Sequence, residues 1–533
     1  MPKQDLPLSQ NPFSAPWSSL GLERLENFYL ELAQSATSKA KYYAVNRQGL
    51  VNQIPQTSTD ATRCWITTSG ERTFQVAGRN VYELTNLGKS RILIGTLATA
   101  AGIVVAAENG YDLLFVDGSY GYHYSLTASY WYGQIGDQYF PGVTDTGFDT
   151  SKGPTHVYCI DTIFVVNSKD TTDAFWSAPG YKPYAFDPLQ PSVTNLWWGT
   201  QFISKIGDTD HIVSMCSAVN HLYVAGINST EVFWHTDDKY GQIFQRIDGA
   251  IIGVGCSARY SMVRAGSNVY LLGTESRTGA LGMFVIHPDF TVERISKLGV
   301  ETRIAAYPRI DDCFSFVFSM GRHTFIAWQF PSGSSVDGGP VTGATWIYDL
   351  TTGQWTRWTK FNEGFHYRWQ AQLSTFSAAW NKTLVGDGAG NAVYALDSEA
   401  QMDDKADASG TYLLGCELTT PIGYLDNKVI CYLDCQLNMQ QGVGLRNNVN
   451  AGIDQMSGTT GTDPTVSMQY SNDLGTNWSE AVDKPMGSIG NAMVRTRWTM
   501  CGRARNRIWW FKLYAPVRRV VTGLTTTVQI LSN

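Results

Sequence analysis

Residues 221–234 read HLYVAGINSTEVFW: an apolar β-prone run, a turn carrying Gly226 and Asn228, then a run ending on Phe233 and Trp234. Branched and aromatic side chains fit a pleated surface, while Gly and Asn tolerate tight-turn backbone angles, so the stretch reads as a β-hairpin. The theme recurs at Thr73 to Leu84 (TFQVAGRNVYEL), Tyr111 to Tyr124 and His156 to Trp176. It returns again at Met215 to Trp234, Met262 to Ile286, Phe314 to Tyr348 and Phe376 to Leu396. The second-strand aromatics Tyr82, Tyr122, Phe175, Phe233, Phe284, Tyr348 and Tyr394 follow one another at intervals of 40 to 64 residues. That spacing is the length of one four-stranded propeller blade with variable loops. The expectation is an all-β chain whose residues 59–400 form a six- or seven-bladed β-propeller. The count stays open, because a propeller often completes one blade with strands from both chain ends.

Beyond the repeats, residues 401–410 (QMDDKADASG) are polar, acidic and without apolar periodicity, which marks a linker. Residues 411–533 carry strand-like runs at 427–439, 465–471, 493–500, 508–515 and 525–531, with a Gly/Thr/Asn-rich loop at 440–463. Several short strands with little helical signal argue for a C-terminal β-sandwich. Residues 1–58 do not read as a blade. Leu22, Leu25, Phe28 and Leu32 fit one helix face or an extended arm lying on a neighbouring domain.

The 533 residues exceed one ordinary hydrophobic core. Charged residues reach only 16%, against roughly 25% in typical soluble domains, which suggests surface hidden against partners. The net charge of −6 is uneven: from Arg495 onward there are eight Arg or Lys and no acid, so the preceding residues carry −14. Such a chain is a poor general binder of nucleic acid, since affinity for phosphate needs clustered cations. The nine cysteines show neither disulfide-framework nor zinc spacing and read as reduced core residues. In particular, Val429, Cys431, Leu433, Cys435, Leu437 and Met439 alternate as one strand face. The start of the chain shows no secretory signal pattern, which implies folding in the cytoplasm. The apolar run Ile92 to Ala107 is too short and too polar to span a bilayer.

Ser471 to Trp478 (SNDLGTNW) has the spacing of an Asp-box, a turn found in sialidases and other propellers. Its logic is structural: Asp473 caps backbone N–H groups, Gly475 permits positive φ and Trp478 packs beneath the hairpin. Gly386 to Asn391 resembles a phosphate loop only in composition and precedes a strand, so it reads as a hairpin turn. The eight histidines lack any zinc spacing, and no nucleophile motif occurs. Asp311/Asp312 and Asp403/Asp404 read as solvated loop charges. The expectation is therefore no enzyme, no cofactor and no metal site.

The basic C-terminal stretch carries more. Arg495 and Arg497 share one strand face, and Arg503, Arg505 and Arg507 follow at alternate positions after a turn near Gly502. A sheet face crowded with guanidinium groups needs carboxylates, phosphates or a partner opposite. Here both chain ends resemble the tail-hub family of short-tailed bacteriophages, also called packaged DNA stabilisation proteins. Arg24, Asn27, Tyr29 and Glu31, then Ser38 and Lys39, then Gly49 and Leu50 are similar to the family's "R..NLYPE", Ser-Lys and "GTPGL" elements. Phe28 and Leu30 replace its Leu and Pro, and the TPG element is missing. At the other end, VSMQYSNDLGTNWS and VRTRWTMCGRARNRIWWFKLYAPV resemble "SDDGG.TWS" and "RWRRLGRARDR.F....SDPV". Arg495, Arg497, Trp498, Gly502, Arg503, Arg505, Arg507 and Pro516 occupy the latter's positions.

The resemblance implies a virion tail protein made in the host cytoplasm. It would form a homohexameric ring or nozzle below the portal and its adaptor protein, conducting double-stranded DNA without reading its sequence. Fibres, spikes or a plug would attach to it. Asn27, Tyr29, Glu31 and the five arginines become candidates for subunit or partner contact. The competing class is a monomeric propeller that binds or cleaves glycans, suggested by the aromatic turns and the Asp-box.

Overall fold

The computed structural model describes residues 3–6, 13–14, 22–33, 41–68, 70–179, 197–208, 210–236, 242–334, 342–424, 428–444 and 461–531. Among them, seven antiparallel sheets follow in chain order, each containing one of the recurrent hairpins. Blade one spans Thr62–Thr68 to Ser90–Thr96, blade two Val105–Glu108 to Tyr130–Gln134, and blade three Val157–Ile160 to Trp197–Ser204. Blade four runs from Ser214–Ala218 to Phe244–Ile252, and blade five from Val254–Cys256 to Val292–Arg294. Blade six runs from Phe314–Met320 to Gln354–Arg357. Blade seven takes Ala371–Ser377, Lys382–Asp387 and Val393–Asp397, and the N-terminal strand Gly49–Ile54 completes it. The seven marker aromatics all fall on third strands of their blades.

The inner strands of successive blades touch around the ring, blade five through Val263–Ala265 and the others through their first strands, and Ala371–Ser377 closes it against Thr62–Thr68. Separate apolar clusters fill the spaces between blades, as expected when each sheet buries both faces against its neighbours. Gly49 is required where the closing strand begins, since a Cβ there would lie 2.1 Å from the Met402 carbonyl oxygen.

The C-terminal sandwich packs two sheets over one core containing Trp498, Trp509, Phe511, Leu513, Leu437 and Leu524. One sheet orders Arg497–Thr499, Ile430–Met439, Val520–Ile530, Tyr42–Asn46 and Phe28–Leu32. The other contains Cys416–Thr419, Asn506–Leu513, Thr465–Ser471 and Val482–Pro485. Two residues, Leu25–Glu26, join this second sheet to the propeller. They pair antiparallel with Leu418 and Glu417 on one side, and Glu26 pairs parallel with Arg357 of blade six on the other. The residues expected as an arm are thus strands woven into both bodies. Leu22, Leu25, Phe28 and Leu32 lie in short extended strands, and Asn27 between them adopts φ 57°, which breaks any helical course.

Three local readings are corrected. The expected linker 401–410 holds the strand Met402–Asp404, which pairs with Thr411–Leu413 and lies against the closing strand of blade seven. Asp403 there is fully buried, so its reading as a solvated charge fails: it has a buried partner to neutralise it. The single face expected for Val429 to Met439 breaks at a register shift between Tyr432 and Asp434. Cys435, Leu437 and Met439 point inward, but before the shift Ile430 and Tyr432 do so, leaving Cys431 and Leu433 half-buried. An extra residue in a strand reverses its alternation. All nine cysteines are free thiols, and seven are buried.

Candidate functional site

The C-terminal arginines divide into two groups. Arg495 and Arg503 are exposed and make no ion pair among the described residues, and Arg505 is exposed beside them in sequence. Arg497 is half-exposed and pairs with Asp434 across the strand pair formed with Ile430–Met439. Arg507 departs from the expected face: a bend at Arg505 separates Arg503–Ala504 from Asn506–Leu513, and Arg507 turns inward with Trp509, Phe511 and Leu513. Its guanidinium lies 4.4, 4.2 and 5.2 Å from the rings of Tyr432, Tyr470 and Trp509. It donates to Asn472 Oδ1 at 2.9 Å and to the Cys501 carbonyl. Aromatic faces and acceptors without a carboxylate hold this cation, so Arg507 is a core strut and not an interface residue.

Asn27 is likewise an internal hub. Wholly buried, it donates through Nδ2 to Thr359 Oγ1 and the Gly415 carbonyl, both at 2.9 Å. Its Oδ1 accepts from Arg47 Nε at 2.9 Å and from the Thr359 N–H at 2.8 Å. Arg47, which no sequence motif had singled out, continues the network into a two-pronged pair with Asp403, both side chains at 0% exposure. A planar guanidinium and a carboxylate match in this geometry, and nearby Trp358 and Trp369 exclude water.

A second buried cluster lies alongside. Glu417 accepts from His366 Nε2 at 3.1 Å, Trp510 Nε1 at 3.0 Å, Arg24 at 3.4 Å and the Tyr514 hydroxyl. Burial alone would raise its carboxyl, but the bonds and charges of His366, Arg24 and Tyr514 bring it down to about 2. Thr359 Oγ1 contacts His366 Nδ1 at 2.7 Å, so the Asn27 and Glu417 clusters are continuous. Together they join the N-terminal strands, the hairpin after blade six and the sandwich.

Tyr29 and Glu31 sit on blade six. Tyr29 packs edge-on against His323 and Phe325, with ring centroids 5.2 and 6.0 Å apart. His323 lies between Asp349 at 2.7 Å and Glu31 at 2.8 Å. The hydrogen bond to Asp349 raises its pKa most, burial opposes, and Glu31 adds to the rise. Ser38 and Lys39 lie outside the described residues.

The Asp-box forms the turn its spacing requires, but in the sandwich and not in a blade. Asp473 accepts from the Asn477 N–H at 2.9 Å and from Ser471 Oγ at 2.7 Å, and these bonds hold its carboxyl at about 2. Gly475 has φ 95°, and Trp478 meets Trp510 edge-on with centroids 4.9 Å apart. Arg24 stacks over the same Trp510 at 4.5 Å, tying the turn to the N-terminal segment. Gly386 to Asn391 is a hairpin turn between strands of blade seven. Among the described residues no group of three His, Cys, Asp or Glu side chains is placed to hold a metal. No helix among them is long and apolar enough to cross a membrane.

A closed propeller thus shares a continuous sheet with a β-sandwich, and a buried polar network joins the two. Family models agree domain by domain: residues 199–401 match "Bacteriophage P22 Gp10, beta-propeller" and residues 415–529 match "Bacteriophage P22 Gp10, beta-sandwich". The chain belongs to this family of structural phage tail proteins. No curated protein sequence matches it. Among solved structures, the N-terminal domain of Nup159 is similar at 7% identity and a TM-score of 0.38, over 70% of this chain and 98% of that one. That likeness is too distant to bear on function.

Proposed function

We propose that the chain is a tail hub or nozzle subunit of a short-tailed bacteriophage, without enzymatic activity. Copies of it form a homohexameric ring below the portal and its adaptor. The ring retains packaged DNA, conducts it during ejection and anchors fibres, spikes or a plug. The observation that carries the reading, beyond family membership, is the exposed pair Arg495 and Arg503. These exposed cations stand on the rim of a sandwich whose own stability is supplied elsewhere. They suit carboxylates of a neighbouring copy or tail protein, and the −14 carried by residues before Arg495 supplies such carboxylates on every copy. A mainly acidic surface facing the duplex would let it slide, because phosphate finds no cation to condense on.

Arg495→Gln combined with Arg503→Gln tests this. The variant is expected to fold, with β-sheet circular dichroism like the parent, yet to fail to join particles, leaving heads that leak DNA. Truncating buried interfacial charges typically costs roughly 2–5 kcal/mol per site, and a ring repeats that loss at every contact. Normal incorporation and normal DNA retention would remove these arginines from assembly.

A further inference from the structure

A cavity of about 530 Å³ opens between blades six and seven and the hairpin formed by Met402–Asp404 and Thr411–Leu413. Its volume lies inside the roughly 300–1,000 Å³ range of small-molecule sites. Arg368, Lys360 and Lys405 converge on it; the Asp387 carboxylate of the same wall faces Arg368 and Lys360, and Asp407 faces Lys405, so three cations meet two lining carboxylates. Lys360 Nζ sits 4.1 Å and Lys405 Nζ 5.5 Å from the ring of Tyr412, so one phenol ring gathers both ammonium groups at the wall. Tyr394, only 1% exposed, also lines the cavity, and its hydroxyl has no hydrogen-bond partner among the described residues. A hydroxyl and three gathered cations on one cavity wall are groups that a ligand's oxygens can engage.

We propose that this cavity binds a small acidic saccharide, a hydroxyl-rich ligand carrying an anionic group. Arg368 and the two lysines take the anion, Arg368 through the planar two-pronged geometry that suits carboxylate and phosphate oxygens. Tyr394 donates to a ring or hydroxyl oxygen. Asp387, a lining residue 3% exposed, has one oxygen engaged by the Ala389 N–H at 3.1 Å and accepts from a ligand hydroxyl through the other. A bare anion would leave most of the volume and Asp387 unused. A nucleobase finds little stacking surface, because Trp369 and Tyr394 are buried and the Tyr412 ring already faces two ammonium groups, which leaves the half-buried Tyr367 as the remaining lining ring. The assignment is independent of the tail role, since it rests on the cavity alone.

Calorimetric titration of the full chain with trigalacturonic acid, maltotriose and inorganic phosphate tests it. Trigalacturonic acid is expected to bind, more weakly as salt rises, and maltotriose is not. Arg368→Gln is expected to weaken binding roughly ten- to a hundred-fold, as loss of a charge-assisted hydrogen bond does. Tyr394→Phe, which removes one oxygen and keeps the packing, is expected to weaken it by about ten-fold, so the test survives if the arginine variant misfolds. No binding of trigalacturonic acid, or binding unchanged in both variants, would overturn the site. Phosphate binding as tightly as the trisaccharide would overturn the saccharide assignment and leave a plain anion site.

Discussion

The arginines of the propeller–sandwich junction and those of the sandwich rim share one side chain and opposite surroundings. Arg47 has no exposed side-chain surface and holds Asp403 through two bonds, while Arg495 and Arg503 stand in solvent without a carboxylate. Removing a charge from water costs several kcal/mol, and Arg47 offsets it with bonds from Nε and both terminal nitrogens to Asn27, the Gln48 and Thr359 carbonyls and Asp403. The rim arginines carry no such cost and contribute little to folding. The difference teaches where to look: the motif residues best satisfied inside the chain, Asn27 and Arg507, hold the fold, and those left unsatisfied are available to something else.

The largest test of this contrast is Asp403→Ala, which strands the Arg47 guanidinium in an apolar setting. It is expected to destabilise the protein by about 3–5 kcal/mol, read from the denaturation midpoint. A loss below about 1 kcal/mol would show that the junction tolerates an unanswered charge. Next comes acid. Glu417 sits at about 2 against a usual 4.5, so its contribution is complete above 4.5 and disappears as pH falls toward 2. Glu417→Gln is expected to flatten the stability profile over that window by an amount on the order of 3 kcal/mol. An unchanged acid limb would separate Glu417 from the junction's stability.

A smaller effect is expected at blade six. His323 has its pKa raised by Asp349 and Glu31, so its contribution is present below the ordinary histidine range and fades as pH rises through the raised value. Glu31→Gln should bring the His323 titration, followed by nuclear magnetic resonance, to lower pH and cost about 1 kcal/mol. An unmoved titration would make Glu31 a bystander. The smallest effect belongs to the rim: Arg495→Gln with Arg503→Gln should change the unfolding free energy by no more than about 0.5 kcal/mol. A larger loss would move these residues into the same group as Arg47.

The blades were legible because a hairpin is a local event. Alternation, turn glycines and one marker aromatic are written within about a dozen to three dozen residues in each hairpin, and each hairpin marks a sheet. The count of seven follows once Gly49–Ile54 completes the last blade, a pairing across more than three hundred residues that no local pattern announces. Distance hid Asp403 in the same way, since its partner Arg47 lies 356 residues away. Phase was the other blind spot. A register shift after Tyr432 and a bend at Arg505 each reverse which side chains face inward, misplacing Cys431 and Arg507. The tail family was legible because its terminal motifs include residues such as Asn27, Tyr29 and Arg507, which this fold uses to lock its pieces together.

The strand that closes the propeller also sets a schedule for the ribosome. Gly49–Ile54 leaves the exit tunnel early, yet its partner Val393–Asp397 emerges only after six blades have been made. At roughly 5–20 residues per second the wait lasts some tens of seconds. Throughout it, an unpaired edge offers its N–H and C=O groups to whatever is near, including the same strand or the seventh blade of a neighbouring nascent chain. Polysomes crowded with this message are therefore where exchanged blades would arise, and slowing synthesis of the last blade should increase them.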